Sequence, residues 1–202
     1  MDSIYPVVLC HDRYLFPRCT IELPEKGRLR ADLKEGEKVA IYTFSKPWDL
    51  LRVKGRIGTL ATVLSRAEGK GTAMFEVRGE KRVRITKRYS LRKAFCEEIP
   101  VTLPDDHEDR SERLRKKAQE FVFLINIPES DRLIYLVSFI QGLHDITDFI
   151  AHYFVVDPVR KRILYNLPVT DERSASLERF LNAMIEELRR INEGLSDEKS
   201  RR

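Results

Sequence analysis

The feature that most constrains this chain is a change of hydrophobic period near residue 104. Before it, apolar residues come in short β-branched runs. VAIYTF (39–44) and IGTLATVL (57–64) read as strands, and AMFEVRG (73–79) with KRVRITKRY (81–89) as a hairpin turning at Gly79-Glu80. In the second arm Val83 and Ile85 alternate with Arg82, Arg84 and Thr86, the period of a strand with one wet face. FCEEIPVTL (95–103) closes the series, and Pro100 argues that it lies at an edge.

From Pro104 the period is that of helices. Leu114, Ala118, Phe121, Val122 and Ile125 follow the i, i+4, i+7, i+8, i+11 rule, and Leu133, Leu136, Val137 and Ile140 do so after Pro128. Shorter helices are expected over 145–154 and 158–166. A last helix buries Leu177, Leu181, Met184, Ile185, Leu188 and Ile191. Thr170 is its N-cap, Asp171 and Glu172 favour its positive end, and Gly194 stops it. The expected class is therefore α+β: a β-rich lobe over 1–104, a helical lobe over 105–194 and a disordered tail over 195–202. The hinge falls in PDDHED (104–109).

Composition excludes several classes. With 202 residues, 42% hydrophobic and 34% charged, the chain is neither disordered nor a membrane bundle. Its most apolar stretch, FVFLINIPESDRLIYLVSFI, is cut by Pro128, Glu129, Asp131 and Arg132, so no membrane span is expected. MDSIYPVVLCHDR has no basic leader and does not read as a signal peptide. Cys10, Cys19 and Cys96 show no CxxC spacing, which points to a reducing cytoplasm without structural zinc.

No catalytic engine is legible. EGKGTA (68–73) lacks the first glycine and the Lys-Ser/Thr pair of a phosphate loop and reads as a turn; GxGxxG, GxSxG and HExxH do not occur. His144, Asp148 and His152 share a helix face, but i to i+8 spans about 12 Å, too far for one metal ion to touch both histidines. A solvated polar stripe is the expectation. His11 beside Cys10 on a strand points to the other face, so no thiol–imidazole pair forms. The chain is read as a non-enzyme with no cofactor and no metal.

Charge is distributed unevenly. Residues 1–104 hold 21 Lys and Arg against 13 Asp and Glu, and residues 105–202 hold 16 against 19. Between Arg78 and Lys93 stand eight cations and one acid, with Tyr89 among them. Basic strands interleaved with aromatics can hold RNA, which makes Arg82, Arg84, Lys87 and Arg88 candidate RNA contacts. An edge hairpin kept soluble by its cations explains the same pattern.

Taken in order, these segments resemble the amino-terminal substrate-binding domain of Lon-type ATP-dependent proteases. YPVVLCHDRYLFP (5–17) is similar to that family's opening strand, polar turn and Phe-Pro. RIGTLATVL (56–64) is similar to its Ile-Gly-Thr strand, and FEVRGEKRVRI (75–85) to its Arg-x-Arg-Ile hairpin. DITDFIAHYFVVDPVRKRILYNLPVTDERSASLERFL (145–181) is similar to its helical end. The resemblance covers about residues 4–192. Two departures stand out: Arg18 follows Phe16-Pro17 where a glycine is usual, and Ile21 to Lys38 is shorter and more charged.

The resemblance implies a PUA-like β pseudo-barrel followed by a helical bundle, as found in bacterial free-standing relatives. It implies recognition of client polypeptides, often unfolded, in protein quality control, with a separate protease or chaperone as partner. Binding exposed apolar segments needs anchors outside the core, and Tyr14, Leu15, Phe16, Trp48 and Leu50 are the candidates. RNA binding through the 78–93 stretch is the alternative; an accessory subunit of a separate ATP-dependent protease is a second one.

Overall fold

A computed structural model describes residues 3–24, 33–51, 54–68, 73–90 and 92–200. It divides into two compact units, one made of residues 1–101 with 151–168 and the other of 102–150 with 169–202. The chain leaves the first unit and returns to it. Residues 151–168, which period alone assigns to the helical lobe, pack with the strands.

Among the described residues the first unit holds six strands. They are β1 (Ser3–His11), β2 (Thr20–Pro24), β3 (Lys38–Phe44), β4 (Ile57–Glu68), β5 (Ala73–Arg88) and β6 (Lys93–Glu98). The order is β2-β5-β4-β3-β1-β6, and β6 pairs with β5 as well, so the sheet closes on itself. β1 and β3 run parallel, while the remaining pairs are antiparallel. Alternate residues meet in one cluster, with Val7, Ala40, Tyr42, Leu60, Val83 and Ile85 at its centre. The other face of β1, β3 and β4 is buried too, through Val8, Cys10, Val39, Ile41, Ala61 and Val63. Burial on both faces is why these strands read as continuous apolar runs instead of alternating ones.

Three expectations need correction. First, Ala73–Arg88 is one long strand with no turn at Gly79. One edge of β5 carries β2 along residues 74–78 and β6 along 83–88. Between them the chain after Phe16 crosses close by: the Arg18 N–H donates to the Gly79 carbonyl (2.7 Å), and the Gly79 N–H donates to the Cys19 carbonyl (2.9 Å). A Cβ at Gly79 would lie far inside contact with the Phe16 carbonyl oxygen. Glycine is there for close approach. Second, β6 ends before Pro100 and is paired on both sides, by β1 and β5, so it is not an edge strand. Third, β2 was not foreseen: TIELP is too short to show a period, and its Pro24 sits at the end of a true edge. Most of the EGKGTA turn lies outside the described residues.

The helices are α1 (His107–Ile125), α2 (Ser130–Phe139), α3 (Leu143–Tyr153), α4 (Pro158–Asn166) and α5 (Thr170–Ser200). Asp157 caps α4 by accepting the Val159 N–H at 2.9 Å, and Pro158 sits at the first position, where no donor is needed. In the second unit Leu114, Ala118, Val122, Val137, Leu177 and Leu181 are buried. Polar pairs link α1 to α5: Arg110 with Asp171, Lys117 with Asn182 at 2.5 Å, and Arg189 with Glu120. Ile125, Leu136 and Ile191, expected in the core, are exposed. α5 runs through Gly194 to Ser200, past its expected end, because one glycine costs a helix interior only about 1 kcal/mol.

The helix stripe of His144 and Asp148 is not solvated. Asp148 and Arg173 form a 2.9 Å ion pair with both side chains fully buried, and His144 Nδ1 lies 3.1 Å from the same guanidinium. Removing one member of such a pair strands a charge, so Asp148→Ala should cost about 3–5 kcal/mol in urea unfolding. Gly79→Ala should cost about 1–3 kcal/mol in the same measurement, since the β5 crossing cannot accept a Cβ.

Candidate functional site

The segment proposed as an apolar anchor lies inside. Tyr14, Leu15 and Phe16 are all buried. The Thr59 hydroxyl donates to the Leu15 carbonyl (2.6 Å) and lies 3.1 Å from the Tyr165 hydroxyl, while Tyr14 hydrogen-bonds Ser45 at 2.8 Å. The Phe16 ring stands edge-on to Tyr165, with centroids 5.5 Å apart. These residues close the outer wall of β3 and β4 against α4. Buried in this way, they serve packing and are not available as apolar anchors.

Arg82 is buried as well. Strand alternation put it on a wet face, yet it is 3% exposed. Its guanidinium donates to the Tyr165 carbonyl (2.6 Å) and lies over the rings of Phe16 and Tyr165 at 5.3 and 5.6 Å. A register shift between Ile85 and Lys87 then breaks the alternation, leaving Lys87 and Arg88 both outside. Of the RNA candidates, Arg84, Lys87 and Arg88 are exposed, and Arg88 Nε donates to the Ser90 carbonyl at 3.1 Å.

Trp48 does protrude. It is 60% exposed on the short 3-10 helix Pro47–Leu51, with the Lys46 ammonium 5.5 Å from its ring centroid. The turn beneath it is pinned by Asp49, which accepts the Lys46 and Ser45 N–H groups (3.0 and 3.3 Å) and pairs with Arg56 at 3.6 Å. Those backbone donors, with help from Arg56, hold the Asp49 carboxyl below its ordinary range. A rigid platform thus presents the indole. The side chain of Leu50 lies outside the described residues.

Sequence reasoning missed an exposed aromatic surface on α2. On α2 only Val137 is buried, and Tyr135 and Phe139 stand 64% and 63% exposed with ring centroids 4.5 Å apart. Gln119 of α1 donates to Ser138 of α2 at 3.0 Å, which marks one side of this helix pair. Phe123, one turn beyond Gln119 and 72% exposed, flanks that side. The available signal was the i, i+4 spacing of Tyr135 and Phe139 off the Leu133–Val137 stripe. Among the described residues no group of three His, Cys, Asp or Glu could hold a metal ion, and no helix is long and apolar enough to cross a membrane.

A closed, mostly antiparallel sheet with one parallel pair, joined by a discontinuous helical part, defines the fold class as α+β with a pseudo-barrel. No protein-family model and no curated protein matches the sequence. Solved structures do. The N-terminal domain of the Mycobacterium avium complex Lon protease superposes with a TM-score of 0.71 at 17% identity, covering 91% of this chain and 98% of that one. A Lon N-terminal domain protein from Xanthomonas campestris gives 0.56 at 18% identity, covering 89% and 98%. The chain has the fold of a Lon protease N-terminal domain, and the resemblance seen in the sequence holds at the level of structure.

The buried hub has a pH signature. Desolvation pushes the Tyr165 phenol from 10.0 up to about 12, and its hydrogen bond to Thr59 and the charge of Arg82 only partly oppose this. The folded state keeps its proton where the unfolded chain loses it. Stability is therefore full below the unfolded value of 10.0 and falls as pH rises toward about 12. The Tyr165 share of the decline, about 2–3 kcal/mol in urea melts, should be missing in Tyr165→Phe, while the buried Tyr14 and Tyr42, whose phenols are also pushed up, keep a smaller decline of their own.

Proposed function

We propose that this chain is a cytoplasmic recognition module for polypeptides, with no catalytic chemistry of its own. The observation that carries the reading is the exposed aromatic surface of Tyr135, Phe139 and Phe123. An aromatic side chain presents roughly 150–250 Å² of area, and a monomer gains nothing by leaving three such rings in water. Trp48, held on its pinned turn, is a separate anchor in the first unit. Aromatics supply contact area at small entropic cost, which suits them to varied apolar segments. The likeness to Lon N-terminal domains supports the same class of partner, and three buried cysteines fit a reducing compartment. A separate ATP-dependent protease or chaperone is the machine to which such a module would pass its clients.

RNA binding is the weaker reading, because burial of Arg82 breaks the cationic row on which it depended. The test is titration of the full chain with a labelled, permanently unfolded reporter polypeptide. Tyr135→Ala with Phe139→Ala should weaken binding by about 1–3 kcal/mol, Trp48→Ala by a similar amount, and salt should matter little. Purified protein should neither hydrolyse ATP nor degrade casein. Tight RNA binding lost on changing Arg84, Lys87 and Arg88 to glutamine would reverse the choice.

A further inference from the structure

Strands β3, β4, β5 and β6 are successive antiparallel neighbours, so the β3–β4 link (45–56) and the β5–β6 link (89–92) leave the first unit at the same end. Backbone bonds join the two there: the Gly55 N–H donates to the Ile85 carbonyl (2.7 Å), and the Ile85 N–H donates to the Arg56 carbonyl (3.0 Å). Each link raises one aromatic ring. Beside Trp48 there is Tyr89, 63% exposed, with its ring edge-on to Phe95 at a centroid distance of 5.9 Å. Its turn is held as firmly as that of Trp48. The Tyr89 and Ser90 N–H groups donate to the Lys93 carbonyl (2.9 and 3.0 Å), and the Ser90 hydroxyl accepts the Arg92 and Lys93 N–H groups (3.2 and 3.1 Å).

That end is strongly basic. Residues 45–56 and 86–93 together hold eight Lys and Arg against one acid, Asp49. Lys46, Lys54, Lys87, Arg88 and Lys93 are exposed and make no ion pair among the described residues. Asp49 is engaged by the Ser45 and Lys46 N–H groups and by Arg56. Asp12, which follows β1 at the same end, lies 3.5 Å from His11. Elsewhere on these strands cations are matched, Lys38 with Glu80 at 2.8 Å and Lys81 with Glu98. Unmatched positive charge is thus concentrated where the two rings stand.

We infer that this end is a docking surface for an anionic lipid bilayer, with Trp48 and Tyr89 set into the headgroup layer and the lysines and Arg88 against its phosphates. Tryptophan and tyrosine favour that layer because each joins an apolar ring to a polar tip. Each cation brought to a negatively charged membrane surface strengthens attachment about fivefold. A planar, fluid partner suits rings on two separate turns, since it asks for no matching shape. Single-stranded RNA asks for a groove in which successive bases stack. The recess beneath the Trp48 turn, lined by Tyr42, Ser45, Asp49 and Arg56 among others, measures about 30 Å³, room for a water molecule and not for a base. The inference goes beyond the polypeptide reading and shares only Trp48 with it.

The experiment is co-sedimentation of the full chain with phosphatidylcholine vesicles carrying about 30% phosphatidylglycerol, against vesicles of phosphatidylcholine alone. The anionic vesicles should bind about tenfold more tightly or better, and rising salt should release the chain. Trp48 is the one tryptophan of the sequence, so its emission reports the contact directly and should shift to the blue on anionic vesicles. Lys87→Gln with Lys93→Gln should weaken binding about twentyfold. Thermal melting should not change, because neither side chain has an ion pair to lose among the described residues. Tyr135→Ala with Phe139→Ala should keep full vesicle binding, which separates this surface from the one on α2. Equal binding to both kinds of vesicle, binding without a shift in emission, or no binding overturns the bilayer site and leaves the polypeptide reading intact. Labelled oligouridine that binds more tightly than the vesicles, and no longer binds the double lysine variant, overturns the choice of partner.

Discussion

The first unit depends on one buried contact set, in which Arg82 of β5 grips the C-terminal end of α4. A guanidinium that is 3% exposed is costly unless its donors and its faces are engaged. Here the Tyr165 carbonyl takes a hydrogen bond and two aromatic rings take the faces. The same tyrosine reaches Thr59, which in turn fixes Leu15. Strand β5, strand β4, the loop after β1 and helix α4 are thereby tied through four side chains. Each would leave a buried polar group unmatched if its partner moved.

That arrangement explains which aromatic and cationic residues remain exposed. Aromatic residues near the start of the chain are consumed in closing the wall, and the cation at the centre of the basic stretch is consumed in holding α4. What stays outside is Trp48 on its pinned turn and the rings of α2. The proposed recognition surface is the remainder after packing demands have been met.

The α+β class, the placement of β3 and β4 and the run 158–166 of α4 could be read from the sequence because their patterns are local. Gly79 could not. A glycine between two strand-like runs signals a turn unless one knows that the chain sixty residues earlier passes over it. Arg82 failed for a related reason: alternation gives the face of a side chain, but not whether a distant helix covers that face. Tyr135 and Phe139 were overlooked because period analysis looks for the buried stripe and assigns the opposite side to solvent by default.

The discontinuity of the first unit has a consequence for how the molecule is made. Tyr165 completes a wall whose other parts end by residue 101, so roughly sixty residues must leave the ribosome before the wall can shut. During that interval Phe16, Leu15 and the outer side of β3 and β4 have no cover, and Arg82 has no carbonyl to hold. The nascent strands are then themselves an exposed apolar surface of the kind that chaperones bind. A translation product ending near residue 104 would keep every strand and still lack the piece that makes them a finished body.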